Sequence, residues 1–237
     1  MTSISYTLQL YLDFSGYCDM AMGIALMFNI VLPLNFNSPY KSANIQEFWK
    51  RWHMTLGRFM TNYLYIPLGG NRLGERKTLR NLFIVFMASG IWHGAGWNFV
   101  IWGGLHGICI LVHRVWKNSG RKMNKLLGWV ITINLVNIFW VFFRAETLNG
   151  AVKVLKGMLK IRSLKEMLSI EYKTFLYNDL GNKLSFFILV LSGIIVLFGK
   201  HTKEEETLNK KIFYFFKSIF CIILVILFLN RISTFLY

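Results

Sequence analysis

The 237-residue chain carries 27 Lys and Arg against 11 Asp and Glu, a formal net charge of +16, yet 54% of it is hydrophobic and only 16% charged. With a mean hydropathy of +0.43, a water-soluble domain would have to expose its apolar surplus, which argues against an ordinary soluble enzyme. A nucleic-acid binder sets its cations on an otherwise polar surface; here they lie between long apolar runs, so the pattern points to a lipid bilayer and to no nucleic acid.

A helix needs roughly 20 apolar residues to cross the hydrocarbon. In chain order, Tyr6 to Leu32 is apolar apart from Gln9, Asp13, Asp19, Asn29 and a few small polar residues. Ile45 to Tyr63 differs: Ile45, Phe48, Trp52, Leu56, Phe59 and Tyr63 recur at helical spacing, opposite a polar stripe of Arg51, Thr55, Arg58 and Asn62. That predicts one amphipathic helix at the interface or lining a cavity. Pro67-Leu68-Gly69-Gly70-Asn71 then marks a turn.

Leu79 to Trp116 reads as a helical hairpin reversing at Trp92-His93-Gly94-Ala95-Gly96-Trp97. Its first arm, Leu79 to Trp92, is short of a full crossing, so His93 is expected at depth. A turn inside the membrane must line protein or water that satisfies its backbone. Gly103 and Gly107 on the second arm form a pair that lets another helix approach closely. Leu126 to Phe143, Leu184 to Phe198 and Ile212 to Leu229 are further spans, and Ala151 to Lys160 is a second interfacial helix. The expectation is an all-α, polytopic membrane protein of about six hydrophobic helices with a short re-entrant hairpin and an amphipathic interfacial helix.

Positive charge sets the orientation. Lys41 to Arg80 and Arg114 to Lys125 are strongly basic and flank the open side of the hairpin, which places that side in the cytoplasm. The 144 to 183 connection then falls outside, despite its own basic excess. The first apolar run is too long, and lacks the basic start, for a cleavable signal.

Ionisable groups at membrane depth are costly and mark candidate functional positions. They are Asp13, Asp19, His53, His93, His106 and His113. His93 leads, because an imidazole at a Gly-flanked reversal can take a proton from a hydroxyl nucleophile; the plainer reading has it bond a helix-end carbonyl. His53, within Phe48-Trp49-Lys50-Arg51-Trp52-His53, suits contact with a cytosolic donor, or is simply a headgroup-level histidine. His106 and His113 share a helical face, but a metal needs three convergent ligands, so no metal is expected and His106 reads as a packing residue. Asp13 and Asp19 lie about 120° apart on a regular helix and do not pair unless Gly16 breaks it; hydrogen bonds or ion pairs with the amphipathic segment are the plainer reading. Cys18, Cys109 and Cys221 are odd in number, far apart and set in apolar stretches, as small buried hydrophobes are. Neither a phosphate-binding glycine loop nor a serine nucleophile elbow is present.

Five blocks in order, Tyr11-Leu12-Asp13-Phe14-Ser15-Gly16-Tyr17-Cys18-Asp19-Met20-Ala21, Glu47-Phe48-Trp49-Lys50-Arg51-Trp52-His53-Met54-Thr55-Leu56, Tyr63-Leu64-Tyr65-Ile66-Pro67-Leu68-Gly69-Gly70-Asn71-Arg72, Trp92-His93-Gly94-Ala95-Gly96-Trp97 and Trp102-Gly103-Gly104-Leu105-His106-Gly107, closely resemble the membrane-bound O-acyltransferase family. The branch is that of alginate O-acetylase, peptidoglycan O-acetyltransferase and the teichoic-acid D-alanyl transfer protein; Phe142-Phe143-Arg144-Ala145 is a weaker block. The resemblance implies acyl transfer in a bacterial plasma membrane, with His93 the catalytic residue and His53 a second functional position. It implies no bound cofactor. A cytosolic thioester, acetyl-CoA or an acyl carrier protein, is the donor, and a hydroxyl of an extracytoplasmic polysaccharide or cell-wall polymer is the acceptor, often through a secreted or membrane-tethered partner. In these terms residues 1–237 form one membrane domain, with the motifs in 6–116 and C-terminal helices in 117–237. Family members carry further helices before the first block, so an N-terminal half is expected to be missing. Two alternatives stay open: a non-catalytic scaffold that needs a partner half, and a transporter component.

Overall fold

The computed structural model describes residues 2–159 and 179–199, and all regular structure among them is helical. The chain divides into two compact units, one of residues 1–4 and 39–161, the other of residues 5–38 and 162–237.

In the second unit, α1 (Thr2–Met27) runs unbroken through Gly16, so Asp13 and Asp19 stay on different sides of one helix. It stops before Leu32 because Asn29 adopts a left-handed conformation (φ 57°). The Ile30 amide then bonds Ala25 O at 2.9 Å and the Asn29 amide bonds Leu26 O at 3.0 Å, a Schellman ending in which Asn stands in for Gly. Residues 28–38 fold back: Phe36 meets Phe14 and Tyr11 edge-on at 4.9 and 5.8 Å between ring centres, and Asn35 Nδ2 lies 3.2 Å from Cys18 Sγ. α8 (Asp179–Phe198) begins earlier than the expected Leu184, and Gly193 faces Leu8. The expected Ile212 to Leu229 helix, and Cys221 within it, lie outside the described residues.

The first unit carries the site. The single amphipathic helix expected over Ile45 to Tyr63 is instead α2 (Ile45–Arg51) and α3 (Met54–Met60), followed by a wide π-helical turn over Thr61–Tyr65. Asn44 caps α2 by accepting from the Glu47 amide at 2.8 Å, while Glu47 accepts from the Ala43 amide at 2.9 Å, a reciprocal cap close to a capping box. The break falls at His53, whose φ of 44° is left-handed, a strained conformation for a residue with a Cβ. It re-aims the apolar stripe. Ile45, Phe48 and Trp52 are buried, whereas Phe59 and Tyr63 are exposed and meet each other with tilted rings, 4.8 Å between centres.

The Gly69-Gly70 turn uses positive φ at both glycines and is tied to α4 (Glu75–His93) by Asn81 Nδ2, which donates to Leu68 O at 3.0 Å and Gly70 O at 3.3 Å. α4 begins a turn before the expected Leu79, at Glu75, and pairs with α5 (Trp97–Asn118) as a hairpin. A Cβ on Gly103 would stand 2.5 Å from Phe86 O and 3.1 Å from Gly90 Cα: the helices touch backbone to backbone at a glycine crossing. Gly107 packs on Phe83 and Phe86. At the open end Arg114 clasps Glu75 through Nε at 2.7 Å and Nη2 at 3.0 Å, and Asn118 joins at 2.9 Å, so both basic stretches meet there.

α6 (Lys125–Arg144) is capped by Asn124, which accepts from Leu126 at 2.8 Å, and is anchored where Trp129 Nε1 donates to Tyr40 O at 2.8 Å. α7 (Leu148–Leu159) is the amphipathic helix expected near Ala151; it buries Ala151 and starts with Thr147 Oγ1 accepting from Gly150.

Burial is inverted relative to a soluble bundle. α4 buries Thr78, Asn81, Ser89 and Gly90, while Ile108, Val112 and Val115 of α5 and Leu126, Leu127 and Val130 of α6 are exposed. Small and polar residues inside with apolar residues outside is what lipid solvation favours. Of the described helices, α5 and α6 are long and apolar enough to cross a membrane, so six such spans are not established; Phe187–Phe198 is a shorter apolar stretch.

Candidate functional site

His93 is the last residue of α4, where the helix ends because Gly94 turns extended and the ring of Phe99 fills the place a side chain on Gly94 would need. Its imidazole is walled by aromatic rings: Trp92 at 4.9 Å, Phe143 at 5.0 Å and Trp102 at 5.2 Å between centres, each near edge-to-face. Asn98 Nδ2 donates to Ala145 O, which holds the start of α5 against the end of α6 and keeps Phe143 beside His93.

His53 directly follows Trp52, whose ring meets Trp140 of the same frame at 5.0 Å. It forms the left-handed joint between α2 and α3, and its Nδ1 lies 3.4 Å from Thr55 Oγ1. Burial holds the His53 imidazole below its ordinary value of 6.5, because a charged ring is poorly solvated there. It is therefore neutral at pH 7. The two histidines singled out from sequence thus border one aromatic frame, His53 through the adjoining Trp52 and His93 through Trp102 and Phe143.

His106 is fully buried. Its ring contacts Trp49 and Phe139 at 4.8 Å and Trp102 at 5.0 Å, and Trp49 Nε1 donates to its Nδ1 at 3.1 Å. It sits one ring away from His93, across Trp102. His113 is half-buried farther along α5, toward the Arg114 clasp. Asp13 accepts from Gln9 one turn earlier on its own helix. Among the described residues no three His, Cys, Asp or Glu side chains gather as metal ligands, and Cys18 and Cys109 are free thiols.

Sequence reasoning passed over the aromatic frame. Trp102 and Trp140 stack at 5.8 Å, Trp140 also meets Trp52 at 5.0 Å, and Phe143 touches both Trp102 and Trp140. The available signal was the run of tryptophans in the same blocks as the histidines. What it lacks is any mark that residues of α2, α5 and α6 meet.

The frame can do definite chemistry. Packed aromatic rings exclude water, an imidazole at their edge can accept a proton, and indole hydrogens can bind an oxygen. Residues 1–145 match MBOAT, the membrane-bound O-acyltransferase family. The peptidoglycan O-acetyltransferase of Helicobacter pylori is 61% identical over 168 residues, covering 69% of this chain and 32% of that protein. The probable alginate O-acetylase of Pseudomonas aeruginosa is 46% identical over 157 residues, covering 66% and 30%. The teichoic acid D-alanyltransferase of Bacillus subtilis is 32% identical over 132 residues, covering 53% and 32%. The chain spans about a third of the length of these curated relatives. With the family matched over more than half of its residues, every block from α1 to α6 included, this chain belongs to the membrane-bound O-acyltransferases.

Proposed function

We propose that the protein carries the histidine centre of a membrane O-acyltransferase, which moves an acyl group from a cytosolic thioester to a hydroxyl of a cell-wall or extracellular polysaccharide. The observation that carries this reading is one frame of aromatic rings, in which His93 meets Trp102 and Phe143 and Trp52, the residue before His53, meets Trp140. His93 takes the proton of the acceptor hydroxyl as its oxygen bonds to the acyl carbon; the carbon–sulfur bond then breaks, and the thiolate leaves with the proton that His93 returns. Being neutral, His53 orients the thioester by hydrogen bonding rather than by charge.

An acetyl group is the favoured cargo, since the relatives named for O-acetylation are 61% and 46% identical and the D-alanyl one 32%. The donor is acetyl-CoA or an acyl carrier protein, which the basic stretches meeting at the Glu75–Arg114 clasp would attract as anions. The acceptor lies on the outer face of a bacterial plasma membrane, reached directly or through a secreted or membrane-tethered partner.

The test is His93→Ala in membranes supplied with labelled acetyl-CoA and peptidoglycan or alginate. Label should no longer reach the polymer while the variant still inserts and melts like the parent. Transfer at the parent rate would remove His93 from the mechanism.

A further inference from the structure

Three buried hydrogen-bond donors in the aromatic frame that borders His93 have no acceptor. Trp102, Trp140 and His106 are 1%, 2% and 0% exposed, and Trp102 Nε1, Trp140 Nε1 and His106 Nε2 find no partner in the protein. Which proton His106 carries follows from its neighbour. An indole can only donate, so the bond from Trp49 Nε1 to His106 Nδ1 at 3.1 Å makes Nδ1 an acceptor and puts the hydrogen of the neutral ring on Nε2.

These donors belong to one cluster. The ring centres of Trp102 and His106 are 5.0 Å apart, those of Trp102 and Trp140 5.8 Å and nearly parallel, and those of His106 and Trp140 6.1 Å. Trp102 in turn meets His93 at 5.2 Å, and Phe143 closes the group by touching His93, Trp102 and Trp140. Buried polar atoms are almost always satisfied, and three donors with no acceptor among them call for a group that only accepts. The rings bear no formal charge, which suits a carbonyl oxygen that gains charge during reaction over a permanent anion.

We propose that Trp102, Trp140 and His106 form a donor pocket for the acyl carbonyl oxygen of the thioester, with Trp49 as the positioning residue that fixes the His106 tautomer. The inference rests on the acyl transfer proposed above. When the acceptor oxygen adds to the acyl carbon, the carbonyl π electrons move onto its oxygen, and the three N–H groups stabilise that oxyanion. Collapse returns the electrons and expels the thiolate, so each donor keeps its own proton throughout.

The test uses the full chain in lipid nanodiscs with 15N-labelled Trp and His. Before any ligand is added, the His106 nitrogens should report an Nε2–H tautomer. Acetonyl-CoA, a ketone thioether that keeps the carbonyl but cannot transfer it, should move the Trp102 and Trp140 indole proton resonances downfield; propyl-CoA, which lacks the oxygen, should not. Benzothienylalanine at 102 or 140 keeps the ring and removes the N–H, and should lower kcat about 10²-fold with KM little changed. Indole resonances that respond alike to both thioethers, to neither, or an Nδ1–H tautomer at His106 would overturn the pocket, water being one such alternative partner. A carbonyl-dependent shift in a protein that transfers no acyl group would sustain the pocket and refute the proposed activity instead.

Discussion

Gly103→Ala tests the tightest contact in the hairpin. The new Cβ would meet Phe86 O at 2.5 Å and Gly90 Cα at 3.1 Å. Both are backbone atoms, so no side chain can swing aside, and α4 and α5 must part by about 1 Å to restore ordinary contact. Overpacking of this kind costs about 1–3 kcal/mol. Alanine regains about 0.5–1 kcal/mol of helix propensity over glycine, which leaves a net loss of up to about 2.5 kcal/mol. The displacement falls at the site, because Gly90 stands three residues before His93 and Gly103 directly follows Trp102. Widening the 5.2 Å His93–Trp102 contact by about 1 Å should cut acyl transfer by up to 10²-fold. Thermal melting in detergent reads the first effect and turnover in nanodiscs the second. Gly16→Ala is the control: nothing lies within 4 Å of its added Cβ, so only the gain in propensity remains. If Gly103→Ala melts as high as Gly16→Ala, the glycine crossing is not the close approach inferred here.

Asn81→Ala should destabilise the protein by about 1–3 kcal/mol, because it leaves Leu68 O without the donor that holds its turn to α4 and Gly70 O with only the 3.4 Å bond from Thr78 Oγ1; a melting temperature equal to the parent's would show that water replaces it. Stability should also fall on acidification through His53. Its folded value lies below 6.5, so the unfolded chain takes up the proton first, and stability is lost as pH drops through about 6.5 toward the folded value. Denaturant titrations at a series of pH values should show this slope in the parent and less of it in His53→Gln; identical slopes would exclude His53 as the source.

Local signals in the sequence determined much of this protein. The Gly-flanked reversal, the Gly103 and Gly107 pair and the ends of α6 were legible because each depends on residues within a turn or two of one another: helix period, glycine freedom, apolar length. Tertiary structure decided the rest. The periodic stripe over Ile45 to Tyr63 favours one helix at every local step, yet burial of Phe48 and Trp52 against Tyr40 and Trp140 coincides with a strained left-handed turn at His53. The pairing of Trp49 with His106 joins residues 57 apart in sequence. No periodicity encodes that contact, because the packing of three helices chooses which indole faces which imidazole, and with it the tautomer that His106 must hold.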